Sequence, residues 1–467
     1  MAHRPGQTTE SRSTSYVEER PSSTDVTSFI PKSWQKSLAL VVAGTTLIIS
    51  RSTASVFHPY FWAESGTVFY ADAWNHGLSA IFHSFAGYPV LFPRLAAAVA
   101  VLFPLTYGPL VFVVISLLVQ MVPLIIIFSK RFDNITKSLG VRLMLAGIYV
   151  CLPNSYEVNL HLISGQWQLA VIAFCILVSA PPTKTRQTIF DIFFLALSGL
   201  TGPFAVVLFP VGVWLYWKRR NDIRYQIRLG VVTACAIVDG LTFLLTYSSR
   251  QTLTPHGSHL LAPLGANLNV FIHLVGGQIV AGALAGMNGY SHLLLFSWGN
   301  AAIILAGLFY IIFTAYVIVR GRMEVRLFQI YALLIFAASL IDPKDSTTKA
   351  QWPQMLAPGA GNRYFYLPLL AFLVSLTWLF GHALAEWQQR SGFGLRNFAR
   401  WRYGIVIAII SVQFLILATI GIPLDWSYPP FVEPSLASSQ SVIYQSNAGP
   451  VTVTIAPPGW KMVLNRR

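Results

Sequence analysis

Apolar runs of about 17 to 25 residues recur along this chain, alternating with short clusters of lysine and arginine. No other feature limits the fold so strongly. In hydrocarbon each backbone N–H and C=O must be paired inside the protein, so such runs fold as spanning helices. The overall composition agrees: 54% of the 467 residues are hydrophobic and 10% are charged, against about 25% charged in soluble domains. The expected fold class is an all-α polytopic transmembrane protein of about 11 spanning helices, with bounds of roughly 10 to 13. Short juxtamembrane or re-entrant helices are expected on its outer face.

A net charge of +15 would suit nucleic acid or anionic lipid if it were spread over a surface. Here it is concentrated in connectors: Lys130, Arg131, Lys137 and Arg142; Lys184 and Arg186; Lys218, Arg219, Arg220, Arg224 and Arg228; Arg320, Arg322 and Arg326; Arg390, Arg396, Arg400 and Arg402. That is the positive-inside pattern, which sets topology, and nucleic-acid binding is excluded as a function class. Cys151, Cys175 and Cys235 fall in or beside apolar runs without ligand spacing, and read as small core residues. Residues 1–36, polar and rich in Ser and Thr, read as a disordered cytoplasmic tail. The transmembrane domain then covers 37–421, and 422–467 form an exterior tail. Its stretch VTVTIAPPGWKMVL alternates like a strand around a Pro-Pro-Gly turn and predicts a β-hairpin over the outer mouth, with Trp460 near sugar or headgroups.

Oriented by their basic flanks, the spans fall at 37–57, 108–128, 142–152, 166–180, 189–201, 203–217, 229–247, 298–319, 327–341, 364–384 and 404–421. The N-terminus is then cytoplasmic and the C-terminus exterior, in the inner (cytoplasmic) membrane. The apolar stretches 92–104 and 270–286 would reverse the later charge pattern if either crossed alone, so both read as re-entrant or interfacial. Histidine distributes opposite to arginine: His58, His76, His83, His161, His256, His259, His273 and His292 are outer, against His3 and His382. The exterior face is therefore the chemical one.

The first outer loop, 58–91, holds two carboxylates, Glu64 and Asp72. Ser65 or Gly66 could cap a short helix that stops at Gly77, on which Asp72 and His76, four apart, share a face. Eight helical residues would separate Glu64 from Asp72 by about 12 Å, so a bend after Glu64 is needed for them to converge. The loop then delivers Arg94 to the membrane boundary. Two readings stand: an inert amphipathic interfacial segment, or a carboxylate general base beside a cationic phosphate site.

Here the segments FWAESGTVFYADAWNHG, AGYPVLFPRL, TGPF and NRYF resemble the GT-C superfamily of polyprenyl-phosphate-sugar-dependent membrane glycosyltransferases, in a poorly characterised bacterial branch. That branch more often carries Ala-Glu-Asp-Gly where this chain has Ala63-Glu64-Ser65-Gly66, so Glu64 alone can inherit the acidic role. The resemblance implies transfer of a sugar from a polyprenyl-phosphate donor to a glycan, lipid or protein acceptor. It makes Glu64 the first choice of base and Asp72 the second. A divalent cation is compatible with the family, but the missing second carboxylate weakens that case, and no metal ligand is assigned.

Other outer groups suit the same donor. Arg363 could meet its phosphate and Tyr364 could orient a sugar, or the pair could be an interfacial anchor; Arg94 stands between the same two readings. Glu157 and His161, four apart, lie near Trp167 in NSYEVNLHLISGQW, a mix that suits carbohydrate, although Trp at a boundary is commonly a belt residue. Arg51 reads as a snorkelling residue. Asp239 reads as a neutral acid hydrogen-bonded to a neighbouring helix. His256 and His259 have spacing for a metal but no nearby carboxylate or Cys. Two other function classes remain open: a transporter or flippase of lipid-linked saccharide, for which neither an internal repeat nor midplane charge beyond Asp239 speaks, and a surface-polysaccharide polymerase or ligase using Arg250 and the histidines after it.

Overall fold

The computed structural model describes residues 33–220, 222–246, 262–346, 348–389, 396–427 and 449–465. Most of the expected N-terminal tail lies outside these residues, as do Arg250, His256 and His259.

Long apolar sequence becomes helix throughout. Among the described residues seven helices are long and apolar enough to cross a membrane: Leu105–Ile127, Ile223–Thr246, Leu268–Leu294, Gly299–Arg320, Met323–Ile341, Asn362–Gln389 and Trp401–Leu424. The first helix, Ser33–Arg51, precedes them. Helices occupy all eleven expected positions, but Leu139–Cys151, Gly165–Val178, Thr185–Gly199 and Phe204–Lys218 run only 13 to 15 residues. At about 1.5 Å per residue they fall short of a ~30 Å core. They are as short as the apolar runs 142–152, 166–180, 189–201 and 203–217 that predict them, and irregular chain between them is buried by protein. Leu91 N donates to the Leu200 carbonyl (2.9 Å) and Gly202 N to the Pro89 carbonyl (2.9 Å), so the end of the 58–91 loop pairs the backbone of the 200–203 turn.

The apolar run 92–104 contains the ten-residue helix Leu91–Ala100, too short to span. The run 270–286 lies in Leu268–Leu294, whose length would allow a crossing. It is broken at Gly286 (φ 73°, ψ −179°). A Cβ on Gly277 would collide with the Tyr290 hydroxyl, although 13 residues of straight helix would part them by roughly 20 Å. The segment therefore doubles back, with Leu274, Val275, Gln278 and Ile279 fully buried.

Polar side chains bind the helices together. Tyr149 and Tyr366 donate to Gln168 Oε1 (2.6 and 3.1 Å), and Gln120 Nε2 donates to Asn159 Oδ1 (2.6 Å). Such interhelical bonds contribute about 0.6 kcal/mol each on average in a membrane. At the end carrying the basic connectors, Asp191 accepts from Arg131 (2.7 and 2.8 Å) and Arg228 (3.0 and 2.8 Å). Arg51 is not snorkelling. It is buried and donates to the Val150 and Leu152 carbonyls (2.7 and 2.9 Å), stapling the first helix to a neighbour. Asp239 is also buried, but among the described residues neither oxygen has a hydrogen-bond partner, so the expected bond to a neighbouring helix is not made.

The alternating tail segment is a hairpin of β1 (Val451–Ile455) and β2 (Trp460–Leu464), antiparallel, with Ile455 opposite Trp460. It lies on the 58–91 loop: Trp74 Nε1 donates to the Asn465 carbonyl (2.7 Å), and Asn75 exchanges bonds with Val463 and Asn465 (3.0 and 2.7 Å).

Candidate functional site

The turn that presents Glu64 is held open by the hairpin. Ala63 N donates to the Ala456 carbonyl (2.6 Å) and Ala456 N to the Phe61 carbonyl (3.2 Å). Between these bonds Ala63 takes φ 43°, a left-handed conformation costly for a residue with a Cβ. Glu64 follows at φ −61°, and helix begins at once: a π-helical turn Ser65–Tyr70, then Ala71–His76, ending at Gly77 (φ 64°). The bend precedes Glu64 instead of following it. Glu64 and Asp72 consequently belong to two separate clusters.

Glu64 is half-buried and contributes to the field at Arg363, which starts the helix Asn362–Gln389. Arg363 Nη1 donates to Glu157 (3.0 Å), and Nη2 donates to the Lys344 carbonyl (2.8 Å) and the Tyr364 hydroxyl (3.0 Å). The guanidinium stacks over the Tyr364 ring at 4.6 Å, and Lys344 N donates to the same hydroxyl (2.8 Å). Tyr156 donates to Glu157 at 3.5 Å, and burial followed by the Glu157 charge pushes its phenol pKa upward. Burial also raises the Asp345 carboxyl; Arg363 opposes that shift and Glu157 adds to it. The Asn362 amide is fully buried beside Arg363, with neither its oxygen nor its nitrogen hydrogen-bonded among the described residues.

Trp167 is buried, not a belt residue. Its ring meets the edges of Tyr364 (6.2 Å) and Phe204 (5.4 Å), which locks the first turn of Asn362–Gln389 against Gly165–Val178. His161 forms a three-ring box with Tyr60 (6.2 Å) and Trp62 (5.3 Å). Burial lowers its imidazole pKa to about 4, so the ring is neutral near pH 7. This box and Ser65, which follows Glu64 directly, line one small cavity.

The second cluster is centred on Asp72. Arg94, 2% exposed, donates to Asp72 Oδ2 at 2.6 Å and lies over the Phe69 ring at 5.0 Å. His76 and His83 approach the same carboxylate from the solvent side. Of the two readings of Arg94, phosphate contact or interfacial anchor, neither describes its present partner: it is paired with Asp72, as Arg363 is with Glu157.

The expected residues thus divide in two. Glu157, Arg363 and Tyr364 share one cluster, with Trp167 packed on it and Glu64 within its electrostatic reach; His161 lies in the ring box next to Ser65, and Asp72, His76 and Arg94 make the other cluster. Sequence reasoning missed Tyr156, Lys344, Asp345, Asn362 and His83 as members. The polar segment from Asp342 to Lys349, set between apolar runs, was the available signal for Lys344 and Asp345.

No family model matches the chain, and no curated protein matches it. Among solved structures the chain is similar to the oligosaccharyltransferase of Archaeoglobus fulgidus in its apo form, at 13% sequence identity and a TM-score of 0.42, over 89% of this chain and 59% of that one. The chain thus spans under two thirds of that enzyme's length.

Proposed function

We propose that this integral membrane protein is a glycosyltransferase that moves a sugar from a polyprenyl-phosphate donor to a glycan, lipid or protein acceptor on the exterior face. The observation that carries the reading is a half-buried carboxylate on a strained turn, Glu64, within the electrostatic reach of a fixed guanidinium, Arg363, with which it makes no ion pair among the described residues. Glu64 takes the proton from an acceptor hydroxyl as its oxygen attacks the anomeric carbon. The bond from that carbon to the phosphate oxygen breaks, and the electron pair leaves on the phosphate. On this reading Arg363, whose Nη1 and Nη2 bond Glu157, the Lys344 carbonyl and Tyr364, turns its planar fork to the phosphate oxygens as the donor binds. The unpartnered Asn362 amide is the kind of buried polar group that a sugar hydroxyl satisfies. The sequence resemblance to the GT-C superfamily supports the same assignment of Glu64.

General-base catalysis contributes typically 10²- to 10⁴-fold, so Glu64→Gln should lower transfer by about that factor. The assay uses purified protein in liposomes with polyprenyl-phosphate sugars, and a melting curve to show that the variant is folded. Full activity in folded Glu64→Gln would remove Glu64 as the base. Movement of saccharide across the bilayer without a covalent product would favour transport.

A further inference from the structure

The cluster on Asp72 has the composition and shape of a metal tripod, and it stands apart from the Glu64 reading. Three elements build it. Asp72 and His76 lie one turn apart on Ala71–His76, Gly77 reverses the chain at φ 64°, and the 3₁₀ turn Gly77–Phe82 brings His83 back beside them. His76 Nδ1 lies 4.0 Å from Asp72 Oδ1, and His83 Nδ1 lies 3.7 Å from Asp72 Oδ2. One ligand atom from each of the three residues falls within 4.8 Å of the others. In a tetrahedral site with bonds of about 2.0–2.1 Å the ligand atoms stand about 3.3 Å apart. Small side-chain rotations close that gap.

The carboxylate is oriented from behind. Arg94, buried over Phe69, holds Oδ2 at 2.6 Å, as ligating carboxylates are commonly held by a hydrogen-bonding partner outside the metal's own ligands. The imidazoles are on the other side, 53% and 43% exposed, so the fourth position opens to solvent. Two imidazole nitrogens and one carboxylate oxygen select a borderline transition ion; Mg²⁺ and Ca²⁺ prefer oxygen. We infer that Asp72, His76 and His83 form a Zn²⁺-class divalent site on the first outer loop, with an open coordination position. The competing arrangement is a carboxylate that only ion-pairs with two histidines.

Calorimetric titration of ZnCl₂ into the full chain in detergent, stripped of metal with a chelator, tests the inference and needs no transferase activity. Wild type should bind one equivalent, and MgCl₂ should not compete. His83→Ala and His76→Ala should each weaken binding by more than about 100-fold, beyond the usual loss for a residue outside the ligand set. A His256→Ala/His259→Ala double variant should leave binding unchanged. Zinc binding that survives His83→Ala, or that disappears with the His256/His259 pair, would overturn the site. X-ray absorption on zinc-loaded wild type gives a reading without any variant: two imidazole shells support the tripod, and a sulfur or all-water shell overturns it.

Discussion

Desolvation sets the chemistry of His161. Its ring, packed against Tyr60 and Trp62, has its pKa lowered to about 4, from about 6.5 in an unfolded chain. Between those values the unfolded state binds a proton that the folded state refuses, so stability is complete above pH ~6.5 and is lost as pH falls toward 4. Asp345 works in the opposite sense, because burial raises its carboxyl. The measurable quantity is therefore a difference. Melting temperatures in detergent at pH 7 and pH 4.5 should diverge more for wild type than for His161→Phe, which keeps an aromatic ring and cannot charge. Equal divergence would show that His161 is not desolvated. At this scale the sequence carries residue types and is silent on their pairing. Glu157 and Arg363 are 206 positions apart, and no local spacing announces their 3.0 Å bond. Arg94 follows a loop that holds both Glu64 and Asp72, and nothing local in the sequence says which of them it meets; in space it is Asp72.

Elements meet in two ways in this fold: through polar side chains where loops are buried, and through glycines where backbones touch. Gly276 and Gly307 show the second. A Cβ on Gly276 would overlap the Ile303 carbonyl, and one on Gly307 would overlap the Ile272 carbonyl, so Leu268–Leu294 crosses Gly299–Arg320 at backbone contact. The neighbour is main chain and cannot rotate away. Gly276→Ala should therefore cost roughly 1–3 kcal/mol or more, seen as a lower melting temperature in detergent. Gly230, with nothing within 4 Å, is the control; Ala there should be neutral or stabilising by about 0.5 kcal/mol through helix propensity. A Gly276→Ala protein as stable as Gly230→Ala would refute the crossing. Helix positions were legible in the sequence because apolar runs bounded by basic clusters leave little choice. The shortness of Gly165–Val178 and Phe204–Lys218 was legible too, as apolar runs of 15 residues at 166–180 and 203–217; what the sequence does not show is the distant backbone partner of the buried loops between such helices. The break at Gly286 was equally hidden: it rests on Asp425, whose carboxylate accepts from Met287 N (2.6 Å) and Asn288 N (3.2 Å) just past the kink.

The whole molecule is polarised along its helices. One end carries the Arg131–Asp191–Arg228 ion cluster, with Arg224 of the 218–228 connector bonded to the Pro182 carbonyl. The other end carries Glu64, Arg363, the Asp72 cluster and the hairpin. Because β2 and Asn465 are hydrogen-bonded to Trp74 and Asn75, the C-terminal hairpin and the loop that presents Glu64 must lie on the same side of any bilayer. A reporter fused after Arg467 therefore reports the side of the candidate site itself. Excess lysine and arginine in short connectors stays cytoplasmic, which predicts that a periplasmic-type reporter at that position is active and a cytoplasmic one is silent. A matching fusion within the 218–228 connector should give the opposite result. If both fusions instead reported the reverse, Glu64 and Arg363 would face the cytoplasm, and the exterior transfer proposed above would fail even though the site's geometry were correct. If both reported the same side, an even number of segments would cross between residue 228 and the hairpin, and Leu268–Leu294 would have to traverse the bilayer instead of doubling back.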